Sequence, residues 1–426
     1  MKLAVERSVL RGRVAMPGSK SHTIRMVALG SLASGSSAIE APLVSADTLS
    51  AVRAYRALGA RIDTSQERMW RVEGTGGRWA CPEDVIDVGN SGTTLRLAAG
   101  SAALLAEGAA VFTGDEQVRR RPNGPLLGSL NDLGARCRST RGDGRAPLVV
   151  EGRLRGGRTT LEAVSSQYLS ALLLSAPLAE QDTTIEVLKL NEKPYVNMTL
   201  RYLEEQGIAY QNEDFRQLVV KGGQGYKAFA RRTPGDFSSA TFFFCAGAIL
   251  EGELVLEGLD FSDAQGDKAV VEILRAMGAE IVVEGRGVRV RRGELRGVEA
   301  DLNATPDALP ALAVTACFAN SPSRFYNVPQ ARLKETDRIA VMAGELAKLG
   351  AEVAEQEDGL MIRPVQLHAA AVQGHGDHRV VMALSLAGMA LGGRTVIDTA
   401  EAVGVTFPRY VDLMRSVGAR MAWVGE

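Results

Sequence analysis

The sequence predicts an α/β protein of two domains, each assembled from three similar units. Three observations carry that prediction. The chain's 426 residues exceed what one ordinary hydrophobic core organises. A helix pattern that stops at glycine recurs six times, and a second, more apolar helix pattern alternates with it.

The glycine-ended segments are ALGARI around Gly59, DLGARC around Gly134, EQGIAY around Gly207, AMGAEI around Gly278, KLGAEV around Gly350 and SVGARM around Gly418, spaced about 70 residues apart. In the fourth copy Val270, Leu274 and Met277 share one helical face, and Gly278 can take the left-handed conformation that closes a helix. Short β-branched runs follow at residues 280–283 and 288–290, which predict strands. The alternating segments are SHTIRMVALGSLA, SGTTLRLAAGSAALLA, SQYLSALLLSAPLA, SATFFFCAGAIL, DALPALAVTACFA and DHRVVMALSLAGMAL. All are apolar on most faces, so they belong in the interior. Each begins at a polar or glycine-rich turn, where the first amide N–H groups lack partners and the helix dipole is positive. Six such starts could surround a polyanionic substrate. The predicted boundary lies near Arg231 and Gly235, with the cleft between the domains as the expected site.

Composition narrows the class. Apolar residues make up 46% and charged residues 23%, and the formal net charge of -1 gives no reason to expect nucleic acid or an anionic membrane as partner. The longest apolar runs, such as residues 240–250, fall short of the ~20 residues that span a bilayer. Charges at Lys2, Glu6, Arg7, Arg11 and Arg13 interrupt any secretory signal, so the expected location is cytoplasmic. Cys81, Cys137, Cys245 and Cys317 are widely separated and are expected to be buried thiols. Only nine of the 49 basic residues are lysine, which makes Lys20 and Lys334, both in polar turns, stronger clues than an average arginine.

Six short motifs sit at helix starts or turns. PGSKSHTIR, residues 17–25, brings Lys20, Ser21 and Arg25 to the start of an apolar helix, where both cations could reach one anion; a capped helix with two solvated cations is the plainer reading. The spacing of Gly18 and Lys20 is not that of a Walker loop. In GNSGTTLR, residues 89–96, Asn90 and Gly92 belong to a turn whose small residues let backbone approach a ligand, or merely cap the helix. RRRP, residues 119–122, reads first as a solvated charge run, although its proline fixes Arg121 at a turn. SSQYLS offers Ser165, Ser166 and Gln167 as hydrogen-bonding groups, or simple N-caps. ARLKETDR sets Lys334, Glu335 and Arg338 in a loop after Pro329, and GDHR brings Arg379 to another turn. His375, Asp377 and His378 also admit a metal reading, which lacks a further His or Cys cluster to complete it.

Taken together, PGSKS, GNSGTTLR, RRRP, SSQYLSALLL, PDA, LKETDR and GDHR resemble, in order and approximate spacing along nearly the whole chain, the 5-enolpyruvylshikimate-3-phosphate synthase family. The resemblance implies a two-domain inside-out α/β barrel with three βαβαββ repeats per domain. Residues 14–232 and 233–426 would form the domains, with residues 1–13 crossing to the second. It implies that Lys20, Asn90, Gly92, Arg121, Gln167, Arg338 and Arg379 bind phosphoenolpyruvate. Lys20, Ser21, Arg25, Ser165, Ser166, Gln167, Asp307 and Lys334 would hold shikimate-3-phosphate. Asp307 would accept the proton of the attacking 5-hydroxyl and Glu335 would help protonate the methylene carbon, with Lys20 stabilising charge. No metal or organic cofactor would be needed, and a monomer that is a target of glyphosate is implied.

The sequence departs from the family pattern in three places. Val405 precedes TFP where a lysine is common nearby, and Glu192 stands beside KPY where a phosphate-binding serine is common. Leu97 replaces a frequent proline, and His22 and Ile24 vary the first motif. The sister transferase acting on UDP-N-acetylglucosamine is the nearest rival, but residues 114–121 lack the cysteine that family generally carries. A non-enzymatic clamp around nucleic acid would be expected to show a basic inner face, which near-neutral charge does not favour.

Overall fold

In a computed structural model describing residues 1–425, the glycine rhythm of the sequence becomes a rhythm of helices and open sheets. Val270, Leu274 and Met277 are all fully buried on the helix Ala269–Met277, and Gly278 closes it at φ 105°, its N–H reaching the carbonyls of Leu274 and Arg275. The five equivalent glycines also have positive φ. The expected strands follow as Glu280–Glu284 and Gly287–Arg291.

The helices Lys20–Leu32, Gly92–Ala102 and Ser166–Ser175 are buried along almost their whole length, as are Phe237–Ile249, Leu309–Ala316 and His378–Ala390. No helix among the described residues is long and apolar enough to cross a membrane. The Phe237 helix has all 13 of its residues buried. Phe242 and Phe243 meet Tyr410 edge-to-face at centroid separations of 6.2 and 6.1 Å, contacts worth ~1 kcal/mol each beyond the area they bury.

Among the described residues, six four-stranded sheets cover these helices. In four of them a short strand, a buried helix and a parallel second strand follow one another, as in Gly157–Ala163, Ser166–Ser175 and Thr183–Leu190. In three of the four an antiparallel hairpin completes the sheet, here Gln217–Val220 with Tyr210–Glu213, and in the fourth Lys2–Glu6 and Arg420–Val424 take its place. None of the sheets closes on itself, so the barrel implied by the family resemblance is in each unit a set of open sheets around helices.

The chain divides into two compact units, one of residues 18–233 and the other of residues 1–17 with the chain from Pro234 onward. Their strand exchange explains the division. Leu10–Ala15, which precedes the Lys20 helix, pairs in parallel with Gly252–Glu257, whereas Ala230–Arg232, which precedes the Phe237 helix, pairs with Ser34–Glu40. Lys2–Glu6 lies inside a sheet, hydrogen-bonded to Arg394–Asp398 on one side and Arg420–Val424 on the other.

Cys137, Cys245 and Cys317 are buried as expected, but Cys81 is exposed, which corrects the reading of four interior thiols. It stands in an irregular connection outside the helices and strands, its Sγ against the carbonyls of Pro82 and Ala109.

Candidate active site

In the unit of residues 18–233, the polar starts of three buried helices carry the motifs. Lys20 opens its helix and forms an ion pair of 3.1 Å with the buried carboxylate of Asp47. No local pattern marked Asp47, because it sits in the first turn of a different helix, Ala46–Ala57. One helical turn on, Arg25 is only 1% exposed. Its hydrogen bonds run to neutral oxygens: Thr199 Oγ1 at 2.9 Å, the Ser21 carbonyl at 3.1 Å, Ser170 Oγ at 3.3 Å and the Tyr195 carbonyl at 3.2 Å. Burial pulls its guanidinium down to about 10, so it remains charged at neutral pH.

Gly92 begins the second helix, with Ser91 as its N-cap. A β-carbon at Gly92 would lie 2.6 Å from Arg121 Nη1 and 3.2 Å from Arg96 Nη1, so only glycine lets both guanidiniums approach this turn. The expectation that RRRP is a solvated charge run holds for Arg119 and Arg120, which are exposed. Arg121 departs from it. The five-residue helix Glu116–Arg120 ends there, Arg121 turns to extended backbone, and its side chain is buried.

Arg96 organises this region, and sequence reasoning assigned it no role. Its Nε donates to Asn123 Oδ1 at 3.1 Å, its Nη1 to Gln167 Oε1 at 2.6 Å, and its guanidinium lies 5.3 Å from the Tyr168 ring centroid. Gln167 Nε2 in turn donates to Thr93 Oγ1 at 3.0 Å, so the amide is held at both ends. The available signal was helical spacing: Arg96 lies one turn beyond Gly92 on the same helix. Asn90 donates through Nδ2 to Asp115 at 2.6 Å and Gln117 at 2.7 Å.

Ser165 caps the third helix, accepting from the Gln167 N–H at 3.4 Å. Ser166 is engaged by Glu192, whose Oε2 accepts from Ser166 Oγ at 2.8 Å and from its backbone N–H at 3.3 Å. The residue flagged as a departure thus sits at the start of this helix.

In the other unit a separate cluster forms around Arg338, which is 1% exposed. Its Nη1 donates to Asp307 Oδ1 at 2.8 Å and its Nη2 to Glu335 Oε2 at 2.6 Å. Asp377 takes Nε at 2.8 Å and Nη2 at 3.1 Å. Arg379 Nη2 lies 3.0 Å from Asp307 Oδ2, and Lys334 Nζ 3.7 Å from Asp307 Oδ1. Three cations and three carboxylates are therefore gathered from three turns. Burial alone would raise the Asp377 carboxyl, but the charge and hydrogen bonding of Arg338, together with His378, outweigh it and hold the group below the ordinary range. Burial likewise opposes charge on Arg338, yet the surrounding carboxylates push its guanidinium above the usual value.

Asp377 also caps the His378 helix, accepting from the Arg379 N–H at 2.9 Å. His375 points elsewhere, with Nε2 2.7 Å from Glu345 Oε1. The metal reading of HGDH is therefore not supported, and no group of three metal-ligating side chains occurs among the described residues. Val405 lies in the short helical turn Val403–Thr406.

The chain matches the family model described as EPSP synthase (3-phosphoshikimate 1-carboxyvinyltransferase) over residues 5–414. It is 54% identical over 419 residues to the 3-phosphoshikimate 1-carboxyvinyltransferase of Acetivibrio thermocellus, covering 98% of this chain and 99% of that protein. Against the enzyme of the same name from Ruminiclostridium cellulolyticum the identity is 51% over 421 residues, with 99% of each covered. Among solved structures, an EPSP synthase from Acinetobacter baumannii superposes with a TM-score of 0.84 at 26% identity, covering 99% of this chain and 100% of that one. A full-length family match, relatives more than half identical and a shared fold together make this chain a member of the EPSP synthase family.

Proposed function

We infer that the chain transfers the enolpyruvyl group of phosphoenolpyruvate to the 5-hydroxyl of shikimate-3-phosphate and releases phosphate, by addition and elimination through a tetrahedral intermediate. This is the 3-phosphoshikimate 1-carboxyvinyltransferase reaction of the shikimate pathway, which leads to aromatic amino acids. The observation that carries the reading is the Arg338 cluster, in which one guanidinium holds Asp307 on Nη1 and Glu335 on Nη2. Addition across an enol ether needs a base for the incoming hydroxyl and an acid for the methylene carbon, in fixed relation to one another.

Asp307 takes the role of base and Glu335 that of acid. Lys20, Asn90, Gly92, Arg121, Gln167, Arg338 and Arg379 are assigned to phosphoenolpyruvate. Ser21, Arg25, Ser165, Ser166 and Lys334 are assigned to shikimate-3-phosphate, which Lys20, Gln167 and Asp307 also touch. Guanidinium and ammonium groups in such a low-dielectric setting stabilise the phosphate and carboxylate of the intermediate far more than they would in water. The enzyme is assigned to the cytoplasm as a monomer, the latter tested by light scattering on the purified protein.

Phosphate release from phosphoenolpyruvate tests the reading directly. It is expected with shikimate-3-phosphate as acceptor and not with UDP-N-acetylglucosamine. The opposite preference would move the chain to the sister transferase.

A further inference from the structure

Glu192 is 2% exposed and stands in the left-handed region at φ 59° and ψ 41°, a conformation unfavourable for a non-glycine residue that must be held by its surroundings. It joins the strand Thr183–Leu190 to the helix Lys193–Glu205, and Pro194 follows two residues later. The backbone aims its carboxylate at the first turn of the Ser166 helix, where Oε2 accepts both the Ser166 hydroxyl and the Ser166 N–H. Those are donors that a helix start offers to an anion.

A second observation concerns the nearby cation. The hydrogen bonds of Arg25 all go to neutral oxygens, although its guanidinium is buried, and Glu192 is the carboxylate whose charge acts on it. Ser170 and Tyr195, two of those partners, lie on the Ser166 helix and the segment just after Glu192. Glu192 therefore supplies negative charge to the same group of donors and cation that the functional reading assigns to the phosphate of shikimate-3-phosphate.

We propose that Glu192 is a specificity-determining residue that acts as a tethered stand-in for the substrate phosphate: its carboxylate occupies the Ser166 donors and balances Arg25, and the phosphate must displace it to bind. This inference rests on the assignment of Ser166 and Arg25 to shikimate-3-phosphate. A carboxylate and a phosphate dianion cannot share these donors without repulsion. Binding of the acceptor is thus coupled to movement of the loop between Leu190 and Lys193, and acceptor affinity is set partly by how readily that loop releases its own anion.

Glu192→Gln tests the idea because it keeps the shape and an acceptor oxygen for Ser166 while removing the charge. Initial rates of phosphate release are measured against shikimate-3-phosphate and, separately, against phosphoenolpyruvate. Melting temperatures of wild type and variant are compared without ligand, with shikimate-3-phosphate and with inorganic phosphate. The KM for shikimate-3-phosphate is expected to fall about tenfold, with the KM for phosphoenolpyruvate changed by less than about twofold. The rise in melting temperature at a fixed phosphate concentration is expected to be larger in the variant. An unchanged or raised KM for shikimate-3-phosphate, or a phosphate-induced melting shift no larger than that of wild type, overturns the proposal. Glu192→Ser gives the same reading if the glutamine variant does not fold. Should the wild type show no turnover with shikimate-3-phosphate, the functional assignment falls instead, and the inorganic phosphate comparison still decides whether Glu192 competes for an anion.

Discussion

Asp377→Asn removes the charge that anchors Arg338 while keeping the side chain's shape. The native carboxylate is fully buried and accepts four hydrogen bonds: Arg338 Nε at 2.8 Å, Arg338 Nη2 at 3.1 Å, the Thr336 hydroxyl at 3.1 Å and the Arg379 N–H at 2.9 Å. An asparagine can retain the capping acceptor, but its amide NH2 would then face the guanidinium, donor against donor. Breaking one side of a buried ion pair costs about 3–5 kcal/mol. Asp307 and Glu335 continue to neutralise Arg338, which places the expected loss near the lower limit, about 3 kcal/mol. Asp377→Ala also deletes the helix cap and should lose about 1 kcal/mol more. Because the chain has two compact units, a single global unfolding transition is a poor measure. Hydrogen exchange followed by mass spectrometry on peptides from the helix His378–Ala390 reads the affected segment. A loss of about 3 kcal/mol corresponds to exchange faster by about 10². Exchange within about threefold of wild type would refute the view that Asp377 anchors the cluster.

The same site fixes the sign of an acid dependence. The folded-state carboxyl of Asp377 is held below its ordinary value by Arg338 against the opposing effect of burial, so the unfolded chain binds this proton more readily. The stabilisation is fully present above the ordinary aspartate value of about 3.9 and is lost as pH falls through the depressed folded value. Asparagine has no proton to bind, so the gap in protection between wild type and variant should narrow in acid.

Glu335→Ala should lower kcat by about 10²–10⁴ while changing KM for either substrate far less, as judged from steady-state rates and a binding titration. Near-normal turnover would remove Glu335 from the catalytic set. Gly92→Ala places a β-carbon 2.6 Å from Arg121 Nη1, and the guanidinium end can swing aside more cheaply than backbone. The fold should therefore survive with little change in melting temperature, while the KM for phosphoenolpyruvate rises about tenfold through the displaced arginine. An unaltered KM would show that Arg121 does not contribute to that substrate's affinity.

Features governed by local periodicity were legible in the residues themselves. Val270, Leu274, Met277 and Gly278 specify a buried face and a stop without help from the rest of the chain. Lys334, Glu335 and Arg338 were recognised as a set because they are four residues apart or fewer, yet the partners that complete their geometry come from far away. Asp307 is 31 residues from Arg338 and Asp377 is 39 residues from it, distances at which no spacing rule applies. Arg121 illustrates the reverse error: local composition favours solvent for RRRP, and only the inward turn after Glu116–Arg120 buries the third arginine. Asp47 and Arg96 were passed over for a related reason, since each is an ordinary helix residue until tertiary packing brings Lys20 to the first and Gln167 to the second. His375 carried a metal alternative until the fold supplied Glu345 as its partner.

The position of Lys2–Glu6 between Arg394–Asp398 and Arg420–Val424 sets a schedule for biosynthesis. Its hydrogen-bonding neighbours are made about 400 residues after it, which at ~5–20 residues per second is a wait of about 20–80 s. During that interval its backbone edges remain exposed to neighbouring nascent chains. Residues 18–233, whose sheets are complete within themselves, can meanwhile assemble as they emerge. Slow translation up to Arg420–Val424 therefore lengthens the vulnerable period of Lys2–Glu6, and a chaperone that binds extended nascent chain would act most usefully on that segment.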